Sequence, residues 1–220
     1  MPKLEIGEEI GAKKSIVWAV DWPGWSRGGK DRDLAIESLI AARGRYAKVA
    51  RRAGLELPKV GVGDLRVVDS VEGGGGTDFG VPSRVTDADG RRVSAQEAGR
   101  SADLVQASWV IFDRAADKAP PTLRKGPRGG GRDTAKIVEH VVEADRAYAR
   151  EIGLRLPSAA LDDHAAVEAE RQAVLDVLRQ PSDGSPLADR RWTARYAARR
   201  IAWHALDHAW EIEDRSEPEP

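Results

Sequence analysis

The stretch at 190–215, RRWTARYAARRIAWHALDHAWEIEDR, holds no glycine or proline and is rich in alanine and arginine. That composition favours one long helix. Trp192, Tyr196, Ile201, Leu206 and Ile212 are spread among its polar residues, and His204 and His208 lie four apart. At that spacing both imidazoles project from one helical face, one turn from each other. The chain has only 4 histidines, so a pair this close stands out. A third, His140, sits midway along another strongly helical stretch at 133–152. It shares a face with Ile137, Val141, Ala144 and Tyr148, while the pair shares one with Ala197, Ile201 and Ile212. Both stripes are apolar and expected to point inward, which aims all three rings at one interior region. Imidazoles buried together without partners are costly to desolvate, and a shared divalent cation uses their lone pairs. The competing expectation has each ring facing solvent or hydrogen-bonded on its own.

Composition limits the other possibilities. At 220 residues the chain suits one large domain or two small ones, and 41% hydrophobic content is enough for a packed core. The 35 basic and 36 acidic residues nearly cancel, so nucleic acid and anionic membranes are not expected partners. No apolar run approaches the roughly 20 residues that a membrane span needs, and the charged start, MPKLEIGEEIGAKK, lacks an apolar signal core. A cytoplasmic location is the default expectation. With no cysteine, metal ligands must come from His, Asp and Glu.

Read in order, 14–20 (KSIVWAV) is a strand by its β-branched and aromatic residues. Turn signals follow at Pro23-Gly24 and Gly28-Gly29. Asp31 or Asp33 caps a helix that continues to Ala53 and ends at Gly54, and a second strand spans 65–71 before the run Gly73 to Gly76. The turn-rich segment 81–100 is expected to link two halves. Beyond it come helices at 102–119, stopped by Pro120-Pro121; at 133–152, capped by Asp133; from Asp162 or Asp163 to Pro181; and the histidine-pair helix. Four helices in succession predict an antiparallel four-helix bundle, hence an α+β chain with its small α/β unit first. Residues 216–220 read as a frayed tail.

Two resemblances go with this pattern. Trp18 to Gly24, then Gly28-Gly29-Lys30 and the helix from Asp31, resemble the N-terminal half of HicB-like antitoxins over some 40 residues. Residues 102–215 resemble the DinB/YfiT-like metalloenzyme superfamily, a four-helix bundle with one histidine on its second helix and an H-x-x-x-H pair on its last. His140 in IVEHVVEADRAY matches the first position, and His204 and His208 in WHALDHAWE match the pair. The resemblance implies a divalent ion, zinc or nickel, held by these three histidines. It also implies a small-molecule substrate and a thiol S-transferase, thiol-dependent isomerase or hydrolase, with mycothiol, bacillithiol or glutathione as possible thiols. A homodimer is a further implied possibility. The expected boundaries are 1–95 for the HicB-like α/β unit and linker, 96–216 for the DinB-like bundle and 217–220 for the tail. The N-terminal unit departs from the family's minimal pattern, so a non-catalytic binding or regulatory module stays open as the alternative.

Three imidazoles leave an open position on a metal, as catalytic sites do, and a thiolate suits zinc. Glu143, Asp207 and Glu211 lie near the ligands in helical register and are candidates to orient their N–H groups; the competing reading is exposed helix carboxylates. Arg124, Lys125, Arg128 and Arg132, around Gly129-Gly130-Gly131, form either an anion-binding loop or a solvated connector. Arg199-Arg200 pairs with Glu139 or Glu143, or with a substrate carboxylate. His164 reads as a surface neighbour of a helix cap. Trp18, Trp22 and Trp25 are too many for so small a sheet to bury, so some are expected to pack on the helices.

Overall fold

A period of two decides the start of the chain. Leu4 and Ile6 alternate with Glu5 and Gly7, and this alternation forms strand β1 (Leu4–Ile10), in a segment whose charges alone suggest no strand. In the computed structural model, which describes residues 3–125, 131–157, 160 and 163–216, three further strands join it. They are β2 (Ser15–Ala19), β3 (Ser26–Gly29) and β4 (Leu65–Glu72). The sheet order is β3-β2-β1-β4, with β1 antiparallel to β2 and parallel to β4. The expected strands at 14–20 and 65–71 are β2 and β4, whereas β3 occupies residues that read as a turn. A parallel pair needs a crossover, and α1 (Arg32–Ala41) and α2 (Arg43–Arg52) supply it. They replace the single helix expected to Ala53, with the break at Ala42.

The helical half holds α4 (Ala95–Lys118), α5 (Thr134–Glu151), α6 (His164–Leu178) and α7 (Ala194–Ser216), preceded by the short α3 (Gly75–Phe79). Helix α4 starts two turns earlier than expected, inside the presumed linker. Ser94 and Glu97 form a reciprocal capping box there, with Ser94 Oγ accepting from Glu97 N at 3.3 Å and Glu97 accepting from Ser94 N at 2.8 Å. Asp133 stands at the N-cap of α5, yet its carboxylate accepts from Leu123 N rather than from the helix. Helix α7 starts at Ala194. The expected helix start Asp162 and the tail residues 217–220 lie outside the described residues.

One buried core runs from Leu4 and Ile6 of the sheet, through Leu39 and Tyr46, to Phe112, Ile137, Leu175 and Leu206 of the later helices. Within it α7 packs on α4 and α5, and α6 on α4 and α5. The mixed α+β class is thus observed, with the small sheet first and the helices after it. The tryptophans help to fasten the two. Trp25 is fully buried and stacks on Tyr46 at 5.4 Å, and the Tyr46 hydroxyl donates to Pro23 O at 2.8 Å. Trp18 lies under the Arg199 guanidinium at 4.1 Å. Gly24, at φ 90°, lets the turn press on α7: a Cβ there would stand 2.7 Å from a Leu206 methyl. No helix among the described residues is long and apolar enough to cross a membrane.

A second polar group locks the helices against one another. Arg146 of α5 bonds Glu170 of α6 at 2.8 Å, and Arg171 of α6 bonds Asp113 of α4 at 2.7 Å. Arg171 also stands 3.7 Å from Asp145 of α5. Asp145 is buried and neither of its oxygens has a hydrogen-bond partner among the described residues. Desolvation pushes its carboxyl up to about 7, against the pull of Arg171.

Candidate metal centre

Helix α5 presents His140 and α7 presents His204 and His208, and the packing of α5 on α7 brings the three rings together. Their centroids lie 4.7 to 5.0 Å apart. One ring nitrogen of each lies within 4.8 Å of the other two, and His204 Nε2 is 3.2 Å from His140 Nε2. The expected convergence of two distant helical segments is therefore present. His204 is buried, while His140 and His208 are half-buried and mark the side that solvent reaches.

The cluster carries little charge of its own. Burial pushes His204 down to about 2, and burial with the nearby Arg132 charge lowers His140. Both rings are neutral at pH 7, with lone pairs available. His208 is oriented from outside: its Nδ1 stands 2.8 Å from Glu211 Oε2. That bond, helped by Arg215, holds Glu211 below the usual carboxylate range. An ionised carboxylate only accepts, so His208 Nδ1 donates, which in the neutral ring leaves the lone pair on Nε2. Glu211 Oε1 in turn accepts from Arg215 Nη1 at 2.8 Å.

Of the carboxylates expected to orient the rings, Glu211 meets one and the others do not. Asp207 pairs with Arg27 of β3 at 3.3 Å, whose guanidinium lies 4.0 Å over the Trp210 ring. Glu143 is exposed and makes no hydrogen bond to a ring among the described residues. The basic loop is largely engaged with the end of α7. Arg124 N donates to Arg215 O, its guanidinium to Asp214 O, and Arg215 donates to the carbonyls of Arg124 and Arg132. Lys125 and Arg132 are exposed, and Arg128 lies outside the described residues. His164 opens α6 at the surface, next to its cap Asp163, which accepts from Ala166 N.

Arg199 does not pair with Glu139 or Glu143. It is buried against Asp89, with contacts of 2.6 and 3.2 Å, and Glu139 pairs with Lys136. Sequence reasoning does not single out the aromatic wall beside the imidazoles. Tyr148 lies 5.5 Å from the His204 ring, Trp192 lies tilted by 40° at 5.2 Å from Tyr148, and Trp203 stands 6.1 Å from His204. The available signal is spacing: Tyr148 follows His140 by eight residues, two turns along the same face.

The donor set suits a cation. Tetrahedral zinc with Zn–N distances of 2.0–2.1 Å places its nitrogens about 3.3 Å apart, close to the 3.2 Å between His140 and His204. No protein-family model, curated protein or solved structure matches the chain.

Proposed function

We propose that the chain is a divalent-metal-dependent enzyme in which His140, His204 and His208 hold one zinc or nickel ion, and α4–α7 form a bundle of the DinB-like kind. A single observation carries this reading: three ring nitrogens from two helices within 4.8 Å of one another. Neutral imidazoles are good ligands for zinc and nickel, and a hydrogen bond between two rings leaves the third without a role. Bound there, the ion supplies Lewis acidity, which makes a thiol or water acidic enough to act as a nucleophile at neutral pH. Glu211 holds the His208 ring in the tautomer that offers Nε2. His204, buried, seals the inner side, and the half-buried His140 and His208 leave the outer side to a small substrate and a low-molecular-weight thiol. The reactions that fit are thiol S-transfer, thiol-dependent isomerisation and hydrolysis.

Metal analysis of protein made without a histidine tag, from medium supplemented with zinc and nickel, tests the site. About one ion per chain is expected, lost in His140→Ala and His204→Ala while both variants stay folded by circular dichroism. A metal-free wild type that takes up neither ion would instead assign the 3.2 Å contact to a hydrogen bond between two imidazoles.

A further inference from the structure

Two adjacent arginines of α7 each bury an Nη1 without an acceptor and lie over aromatic rings, but they differ in their polar partners. Arg199 is buried with a carboxylate, a carbonyl and an aromatic face as partners. Arg200, one turn before His204, lies 5.0 Å from the Tyr148 ring centre and 4.5 Å from that of Trp203. Its Nη1 is buried without an acceptor, and no hydrogen bond or ion pair reaches the guanidinium among the described residues. Three carboxylates on the same helices, α5 and α7, are engaged elsewhere, and Glu143 points to solvent. Glu211 serves His208 and Arg215, Asp207 serves Arg27, and Glu139 serves Lys136. The charges of Arg200 and Arg132 both bear on His204, and those of Glu143 and Glu211 on His140.

A planar guanidinium with free N–H groups matches a carboxylate in two-point geometry. Trp203 is buried against the guanidinium, while the half-buried Tyr148 and Trp192, 5.2 Å apart, offer ring surface to a flat apolar body. Four residues of helix separate Arg200 from His204, about 6 Å along the axis. A ligand gripped at Arg200 therefore reaches the imidazoles with an atom a few bonds from its acid group. We infer that Arg200 anchors the carboxylate of the substrate, and that the substrate class is a small aromatic or conjugated carboxylic acid lying along Tyr148 and Trp192. This rests on the three-histidine reading for the chemistry at the far end, but the anchor itself needs no metal.

The test uses the full chain, metal-stripped and zinc-loaded, titrated by ligand-observed NMR with benzoate and trans-cinnamate. Their neutral amides and phenyl phosphate serve as comparisons. The acids are expected to bind at least about tenfold more tightly than the amides, and Arg200→Gln to lose at least about tenfold in acid affinity with zinc content unchanged. Arg200→Lys keeps the charge without the fork and falls between the two; it also stands in for Arg200→Gln should that variant not fold. Equal binding of acids and amides, or unchanged acid affinity in both variants, overturns the anchor. Phenyl phosphate binding far more tightly than either acid overturns the carboxylate assignment. If wild type takes up no zinc but acid binding still depends on Arg200, the metal reading fails and the anchor stands. Stoichiometric zinc with acid affinity indifferent to residue 200 removes the anchor and leaves the metal reading standing.

Discussion

The helical half contains two inward-facing polar clusters that share α5, and they are built on opposite principles. On one side Asp145, Glu170, Arg146, Arg171 and Asp113 tie α4, α5 and α6 together with charges of both signs. On the other side His140, His204 and His208 face one another as weakly basic nitrogens, with Glu211 as the carboxylate bonded to a ring. The first cluster pairs charges of opposite sign within itself, with Asp145 held 3.7 Å from Arg171 without a hydrogen bond. The second keeps lone pairs in reserve and has an unpaired guanidinium one turn away. Charges that neutralise each other fix helices in place, while donors that do not are available to a ligand. The difference marks one cluster as scaffold and the other as site.

The largest effect expected from this contrast lies in the scaffold cluster. Arg171→Met removes the cation 2.7 Å from Asp113 and 3.7 Å from Asp145 and leaves the buried Asp145 carboxyl uncompensated. Losing one partner of a buried ionic group costs about 3–5 kcal/mol. Urea unfolding is expected to show a loss of that size, and adding Asp145→Leu to recover most of it, because two apolar residues leave no orphaned charge. A loss below about 1 kcal/mol, typical of an ordinary surface change, would remove the scaffold role and with it the contrast.

The smaller Glu211→Gln effect lies in the site. An amide replaces the carboxylate 2.8 Å from His208 Nδ1 and weakens the bond to Arg215, so the ring loses its fixed tautomer. Removing such an orienting group costs about 10–100-fold in metal affinity. Competition for zinc against a chromophoric chelator measures it, with stability in the metal-free state expected to change little. Unchanged zinc affinity would reduce Glu211 to a surface partner of Arg215.

How much of the molecule is legible in its sequence depends on whether partners are local. The helices of α5 and α7 and the shared face of His204 and His208 follow from spacing alone. The third histidine can be proposed from its apolar stripe. Strand β1 is hidden because Glu8 and Glu9 read as solvated charges, yet Glu9 is fully buried. Its carboxylate accepts from Thr77 Oγ1 at 2.8 Å and from the amides of Ser83 and Arg84 at 3.2 and 2.7 Å, partners that no local pattern announces. Asp207, one residue before a candidate ligand, reads as its orienting group until Arg27, 180 residues away, claims it. Asp89 takes Arg199 in the same way. Helix α4 is the exception, since its Ser94–Glu97 capping box is visible and the turn-rich texture around it hides the start.

The smallest effect is a slope, and it sets the two clusters against each other directly. Asp145 is pushed up to about 7 from an ordinary 3.8. Between those values the folded chain holds a proton that the unfolded chain has released, so stability falls as pH rises. His204 is pushed down to about 2 from an ordinary 6.5. There the unfolded chain holds the extra proton, so stability rises with pH over that window. Each slope approaches about 1.4 kcal/mol per pH unit, with opposite sign. Near pH 5 to 6 the two largely offset one another in metal-free wild type. Asp145→Asn is expected to unmask the rising slope and His204→Gln the falling one, read as the difference in urea-unfolding free energy between about pH 5 and about pH 6 with chelator present. Background from other groups cancels when each variant is compared with wild type. If both substitutions tilt the slope in the same direction, the two clusters do not differ in the protonation state proposed for them, and the division between scaffold and site loses its electrostatic basis.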